Sequence, residues 1–203
     1  MACDLIKTRF VTPDDIDSFG GSKERQEIWS SKGWLGQTLV GNYSITSRVP
    51  LHPTAGSSPL EDFKPESTHL HPLWNAALSF VHGGLHPELP FLTPYPSKIN
   101  SLGNSLVKRI HRRQPIPPPH PPAEYPGLPQ DTPGDEYEIY GANGPLWFRG
   151  WAQAEETDQF CATAQNVIDT IGVRRLIMGH TPNFEASNKP FTRFQSTQPP
   201  CSG

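Results

Sequence analysis

The stretch TDQFCATAQNVIDTIGVRRLIMGHTP, residues 157–182, decides the fold class of this chain. Apolar residues recur at helical spacing over 157–171, and Gly172 then provides a stop. The apolar residues 176–178 follow as a short strand, which opens at once into a loop containing His180. A helix leading directly into a buried strand is typical of the α/β class. We therefore predict an α/β fold with a helix over 157–171 and a strand over 176–178.

A second apolar run ends in the same way. AALSFV, residues 76–81, stops abruptly at His82, Gly83 and Gly84, which indicates a buried strand followed by a glycine-permitted turn. Sheets of α/β proteins bind ligands at the carboxyl ends of their strands, and imidazole is a good ligand for Zn, Mn or Fe. We therefore predict that His82 and His180 face one cleft. The alternative is that each is a buried histidine satisfied by a backbone carbonyl.

The other histidines are weaker candidates for metal binding. His69 and His71 have the HxH spacing of some zinc-binding strands but lie in a proline-flanked segment, and His86 lies just past the glycines. The remaining three are interpreted as solvated residues: His52, His111 and His120.

Further elements follow from local patterns. Thr12 is predicted to cap a helix that starts at Pro13. The other expected elements are helices over 23–30, 34–40 and 97–110 and a strand over 42–49. Eighteen of the 24 prolines lie between Pro50 and Pro133. We interpret 50–72 as a surface insertion and 113–134 as a polyproline II or disordered loop.

Composition excludes several classes of protein. The 203 residues carry 17 Lys+Arg against 20 Asp+Glu, a net charge of −3, so a basic surface for nucleic acid or anionic membrane is not expected. The first residues, MACDLIKTRF, lack the pattern of a secretory signal peptide, and no apolar stretch reaches membrane-spanning length, so a cytoplasmic location is the default expectation. The three cysteines do not form a disulfide or metal framework, and Cys161 is expected to be a small buried apolar residue.

The segments around the two histidines resemble a known family. SFVHGGL (79–85), PLWFRGW (145–151) and GVRRLIMGHTP (172–182) are similar to the calcineurin-like metallophosphoesterases of the phosphoprotein phosphatase superfamily, in their Shewanella-like, bacterial-like branch. The resemblance covers residues 1–185 as a partial domain and leaves 186–203 as a divergent polar tail. It implies a fragment of a two-sheet sandwich flanked by helices, with a Pro-rich insertion.

The resemblance also implies a chemistry. In that family the matching histidines, here His82 and His180, bind the second of two divalent ions (Mn, Fe or Zn), and the matching arginine, Arg149, contacts the substrate phosphate. A metal-bound hydroxide would attack a phosphomonoester, on a phosphoprotein Ser/Thr or a small molecule. We expect Arg149 to lie near the two histidines.

The family motifs that supply carboxylates are missing from residues 1–81. Asp-x-His, Gly-Asp-x-x-Asp-Arg-Gly and Gly-Asn-His-Glu should each precede His82. We therefore expect the second half of a phosphatase domain, holding at most one ion weakly and inactive as this chain alone.

A rival prediction is a non-catalytic interaction protein. The segment 112–122 contains an Arg-x-x-Pro-x-x-Pro pattern and five prolines within residues 117–122. Such a segment is typical of polyproline II ligands for SH3 or WW domains, and the alternative is a stiff insertion with no partner.

Overall fold

The computed structural model describes residues 12–64, 71–112, 128–154 and 157–181, together with the backbone of 195–196. The chain divides into two compact units. The helical unit comprises 1–43 and 104–133, and the sheet unit comprises 44–103 and 134–203.

The helical unit contains three short helices near the amino terminus. They are α1 (Pro13–Asp17), α2 (Ser22–Trp29) and α3 (Trp34–Asn42). The predicted start of α1 is confirmed, because the Thr12 side chain accepts a hydrogen bond from the Asp15 amide while the Asp15 carboxylate accepts one from the Thr12 amide. This reciprocal capping box satisfies two backbone donors that the helix leaves open.

The sheet unit is built on one small mixed sheet, so the α/β class is confirmed. Its strands lie in the order β1 (Thr46–Pro50), β2 (Ala77–Val81), β3 (Arg175–Met178) and β4 (Gln195–Ser196). Strands β1 and β2 are antiparallel, β2 and β3 are parallel, and β3 and β4 are antiparallel. The parallel pair matters for function, because it brings the carboxyl ends of β2 and β3 to the same edge.

The remaining helices are α4 (Ser97–Arg112), α5 (Gly134–Tyr140), α6 (Gly150–Gln153) and α7 (Asp158–Ile171), and a short 3-10 helix covers Pro53–Ala55. Helix α7 agrees with the prediction: Thr157 caps its start, and Gly172 ends it in the left-handed conformation with φ of 64°. Its apolar stripe of Ala164, Val167, Ile168 and Ile171 is buried. None of the helices within the described ranges has the length and apolar content needed to cross a membrane.

The buried centre of the sheet unit contains polar side chains as well as apolar ones. Arg48 is 1% exposed and donates from Nε and Nη2 to the Gly172 carbonyl at 2.9 and 2.6 Å, and from Nη1 to the Ala55 carbonyl. Tyr95 is fully buried, and its hydroxyl is hydrogen-bonded to Thr46 and Ser79. These hydrogen bonds offset the cost of burying polar groups.

Several predictions require correction. Residues 50–72 are not all a surface insertion: Ala55 and Phe63 are buried, and Phe63 stacks on Trp74 with ring centroids 5.5 Å apart. The prediction of a free, buried Cys161 is wrong, because this cysteine is disulfide-bonded and only half-buried. The strand predicted over 42–49 begins only at Thr46, since α3 continues to Asn42. Helices α5 and α6 were not predicted, and α5 begins at Gly134, the last residue assigned to the Pro-rich loop.

Candidate metal and phosphate site

The parallel register places the two predicted histidines at one edge of the sheet. Val81 at the end of β2 pairs with Met178 at the end of β3. The next residue pair continues this register, since the Gly179 amide donates to the His82 carbonyl at 2.9 Å. His82 and Gly179 therefore lie side by side at the ends of neighbouring strands, and His180 is one residue further along.

The backbone at His180 turns its imidazole toward His82. His180 has φ of 61°, the left-handed region that non-glycine residues seldom adopt. The Thr181 amide donates to the Gly179 carbonyl at 2.6 Å, closing a tight turn centred on His180. His82 Nε2 and His180 Nδ1 then lie 3.0 Å apart, with the ring planes at 62° to each other. The predicted proximity of the two histidines is confirmed, but not the single cleft, because His180 lines one cleft and His82 lines another.

Arg149 lies against the same turn. Its Nη1 donates to the His180 carbonyl and to the Thr181 hydroxyl, each at 3.1 Å. No partner for its Nε or Nη2 lies within the described residues, where no carboxylate pairs with it either. The side chain is thus held in place by one nitrogen and keeps other donors for an anion.

The segment that carries Arg149 is attached to the turn after His82. The Gly83 amide donates to the Pro145 carbonyl at 2.7 Å. A Cβ at Gly83 would lie 2.9 Å from backbone atoms of Pro145, Leu146 and Phe148, so only glycine permits this approach. This role of Gly83 is not among the predictions from sequence, although the paired glycines after His82 were the available signal.

The surroundings of His180 disfavour its positively charged form. Desolvation lowers the pKa of His180, and the positive charge of Arg149 and the nearby His82 lower it further. A neutral imidazole has a lone pair for a metal ion. His180 Nε2 is buried, and the described part of the chain offers it no hydrogen-bond partner.

The histidine pair fits one divalent ion but does not by itself fit two. With nitrogen–metal bonds of ~2.0–2.1 Å, the 3.0 Å separation of the two nitrogens corresponds to a nitrogen–metal–nitrogen angle of roughly 90–100°. Imidazole is a suitable ligand for divalent ions such as Zn or Fe. Among the described residues, however, no group of three His, Cys, Asp or Glu side chains converges on one point.

Aromatic residues form one wall of a cleft beside Arg149, and the sequence analysis did not identify them. The Trp147 ring contacts His180 edge-to-face at 5.4 Å and Tyr140 at 6.2 Å. The cleft has a volume of about 680 Å³ and is lined by Tyr140, Asn143, Trp147, Phe148, Arg149 and His180, among others. The available signal was the position of Trp147, two residues before the arginine.

The weaker histidine candidates are not brought to this site as ligands. His86 packs edge-to-face on Phe148, and its Nδ1 accepts from the Glu88 amide at 3.1 Å. His71 stacks on His52, with ring centroids 6.0 Å apart. The Nδ1 atoms of both stacked rings accept backbone amide hydrogen bonds. His69 and residues 113–122 of the Pro-rich segment lie outside the described residues, so the SH3 or WW ligand stays a prediction.

Comparisons with known proteins leave the function open. The chain is 29% identical over 180 residues to a Schizosaccharomyces pombe protein described as "Uncharacterized protein C1840.07c". The match covers 87% of this chain but only 40% of the length of that relative. No protein-family model and no solved structure matches the chain.

Proposed function

We propose that this chain contributes part of the active centre of a calcineurin-like metallophosphoesterase, a metal-dependent phosphatase acting on phosphomonoesters of proteins or small molecules. The observation that carries the proposal is the triad of His82, His180 and Arg149 at one sheet edge. Its two imidazole nitrogens are 3.0 Å apart, and the arginine bonds to the turn of His180. The two imidazole nitrogens can bind a divalent ion, and the guanidinium of Arg149 can bind a phosphate oxygen beside that ion.

In this proposal the residues have separate tasks. His82 Nε2 and His180 Nδ1 hold one ion, which would supply a polarised water and charge neutralisation when bound. Arg149 orients the phosphoryl group and neutralises its charge through the donors that the turn does not use. No carboxylate that could bridge a second ion stands beside the two histidines among the described residues, and we propose that the chain alone binds metal weakly and does not turn over substrate.

The outer face of the sheet supports the finer fold that the proposal requires. One face of the sheet carries Ser47 and Arg175 and, by register and alternation, four apolar residues: Val49, Leu78, Phe80 and Ile177. Three of them are half-buried and Phe80 is 40% exposed. A sheet face with several large apolar residues normally packs against a second layer, which favours part of a two-sheet sandwich.

The proposal is tested by metal binding to the purified chain. Cobalt(II) should give a histidine-dependent visible spectrum, and Zn(II) should compete for it with a stoichiometry of one. The His82→Ala, His180→Ala double variant should lose both signals. The His52→Ala, His71→Ala variant removes the same number of imidazoles and should keep them.

Assays of phosphomonoester hydrolysis with Mn, Fe and Zn complete the test. We expect equal background turnover by the wild type and by the His82→Ala, His180→Ala variant. Metal-dependent turnover confined to the wild type would show that the site is already complete. Equal metal binding by both double variants would refute the metal site.

A further inference from the structure

We propose that the cleft selects phosphate esters whose ester group is an aromatic ring, with Trp147 as the residue that determines this preference. The inference rests on the proposed function and extends it to the class of substrate. It starts from the aromatic wall, which places a large flat surface next to the predicted phosphate position.

The wall is fixed before any ligand binds. Trp147 is 46% exposed, yet its ring is held between edge-to-face contacts with His180 and Tyr140. Its backbone amide donates to the Gly144 carbonyl at 3.0 Å. A preorganised aromatic surface loses little conformational entropy when a ligand packs on it, so the exposed indole face is suited to ring stacking.

The lining of the cleft combines a group that can bind phosphate with an aromatic side chain. Trp147 and Arg149 line the same cleft and are two residues apart. The described lining contains one guanidinium and no carboxylate, so it accepts a dianion without charge repulsion. A phosphate held by Arg149 would place a directly attached ring against the indole, whereas a short alkyl group would leave that surface uncovered.

The expected preference is modest. An aromatic pair contributes beyond simple burial by an amount equivalent to roughly three- to tenfold in affinity. Phenyl phosphate should therefore bind roughly three- to tenfold more tightly than methyl phosphate, since both carry the same dianionic group.

The experiment is an NMR or calorimetric titration of the full chain with phenyl phosphate, methyl phosphate and inorganic phosphate. Trp147→Ala should bring the ratio of phenyl phosphate to methyl phosphate affinity close to one, and Trp147→Leu provides a second variant that keeps apolar volume. Arg149→Met should weaken all three ligands. Trp34→Ala removes an exposed indole of the helical unit, which is 66% exposed, and should change none of them.

The outcomes separate the inference from the proposed function. Equal wild-type affinities for phenyl and methyl phosphate, both dependent on Arg149, would overturn the aromatic preference and leave the phosphate site standing. A preference that survives in both Trp147 variants would also overturn it. Failure of Arg149→Met to weaken any of the three ligands would overturn the phosphate site itself.

Discussion

Substituting Gly83 by alanine tests whether close backbone packing positions Arg149. The added Cβ would lie 2.9 Å from the Pro145 oxygen, the Leu146 carbonyl carbon and the Phe148 nitrogen. All three are backbone atoms, so relief requires the whole 145–148 segment to move by about half an ångström, with an overpacking cost of about 1–3 kcal/mol. Alanine also lowers the conformational entropy of the unfolded chain, which offsets this cost by about 0.4–1 kcal/mol. The net expectation is a loss of roughly 0.5–2 kcal/mol.

The measurement is thermal unfolding combined with phosphate titration. A loss of that size should lower the Tm by roughly 1–8 °C for a chain of this length, and the displaced segment should weaken phosphate binding through Arg149. Gly134→Ala is the matched control, because a Cβ there meets nothing within 4 Å; its Tm should stay the same or rise. A Gly83→Ala variant that unfolds at or above the wild-type Tm and binds phosphate equally would refute the packing argument.

Two further predictions concern the polar interior. Burial raises the pKa of Tyr95 to about 12, whereas the pKa of a tyrosine in the unfolded chain is about 10. Between these two pH values the folded state keeps a proton that the unfolded state has lost. The free energy of unfolding should therefore fall by about 2–3 kcal/mol as the pH rises from 10 to 12. Urea unfolding of Tyr95→Phe should lack this part of the pH dependence, and an identical slope in both proteins would contradict the assignment. Arg48→Met leaves the Gly172 and Ala55 carbonyls without their donor and should lower the free energy of unfolding by roughly 2–4 kcal/mol. The control Arg174→Met, at an exposed position, should change that free energy by less than about 0.5 kcal/mol. Similar losses of stability in both variants would show that the buried hydrogen bonds are not responsible.

The elements that the sequence predicted well are those whose local signals agree. Helix α7 combines a capping threonine, an apolar stripe and a terminal glycine, and the structure follows all three. The segment 50–64 shows the opposite case. Its Gly, Pro and Ser content indicates a loop, which is correct for the backbone, but Phe63 is buried through contacts with residues distant in sequence. Loop composition reports backbone conformation and gives no information on whether one aromatic side chain in it reaches the core.

The rule that predicted the candidate site explains why the two histidines lie at one sheet edge, but it does not explain why their side chains meet. Parallel strands bring their carboxyl ends together, and this places His82 opposite Gly179. His180 is one residue further on, so in an extended strand its side chain would point to the other face. The left-handed φ of 61° at His180 reverses that direction and brings its Nδ1 to 3.0 Å from His82 Nε2. Residues with a side chain seldom adopt this left-handed conformation, so it could not be inferred from the presence of a histidine. Such a conformation persists only where the surrounding structure enforces it. Here Arg149 bonds to the His180 carbonyl and the Thr181 hydroxyl, so the residue proposed to bind phosphate also holds the turn that aims the proposed metal ligand.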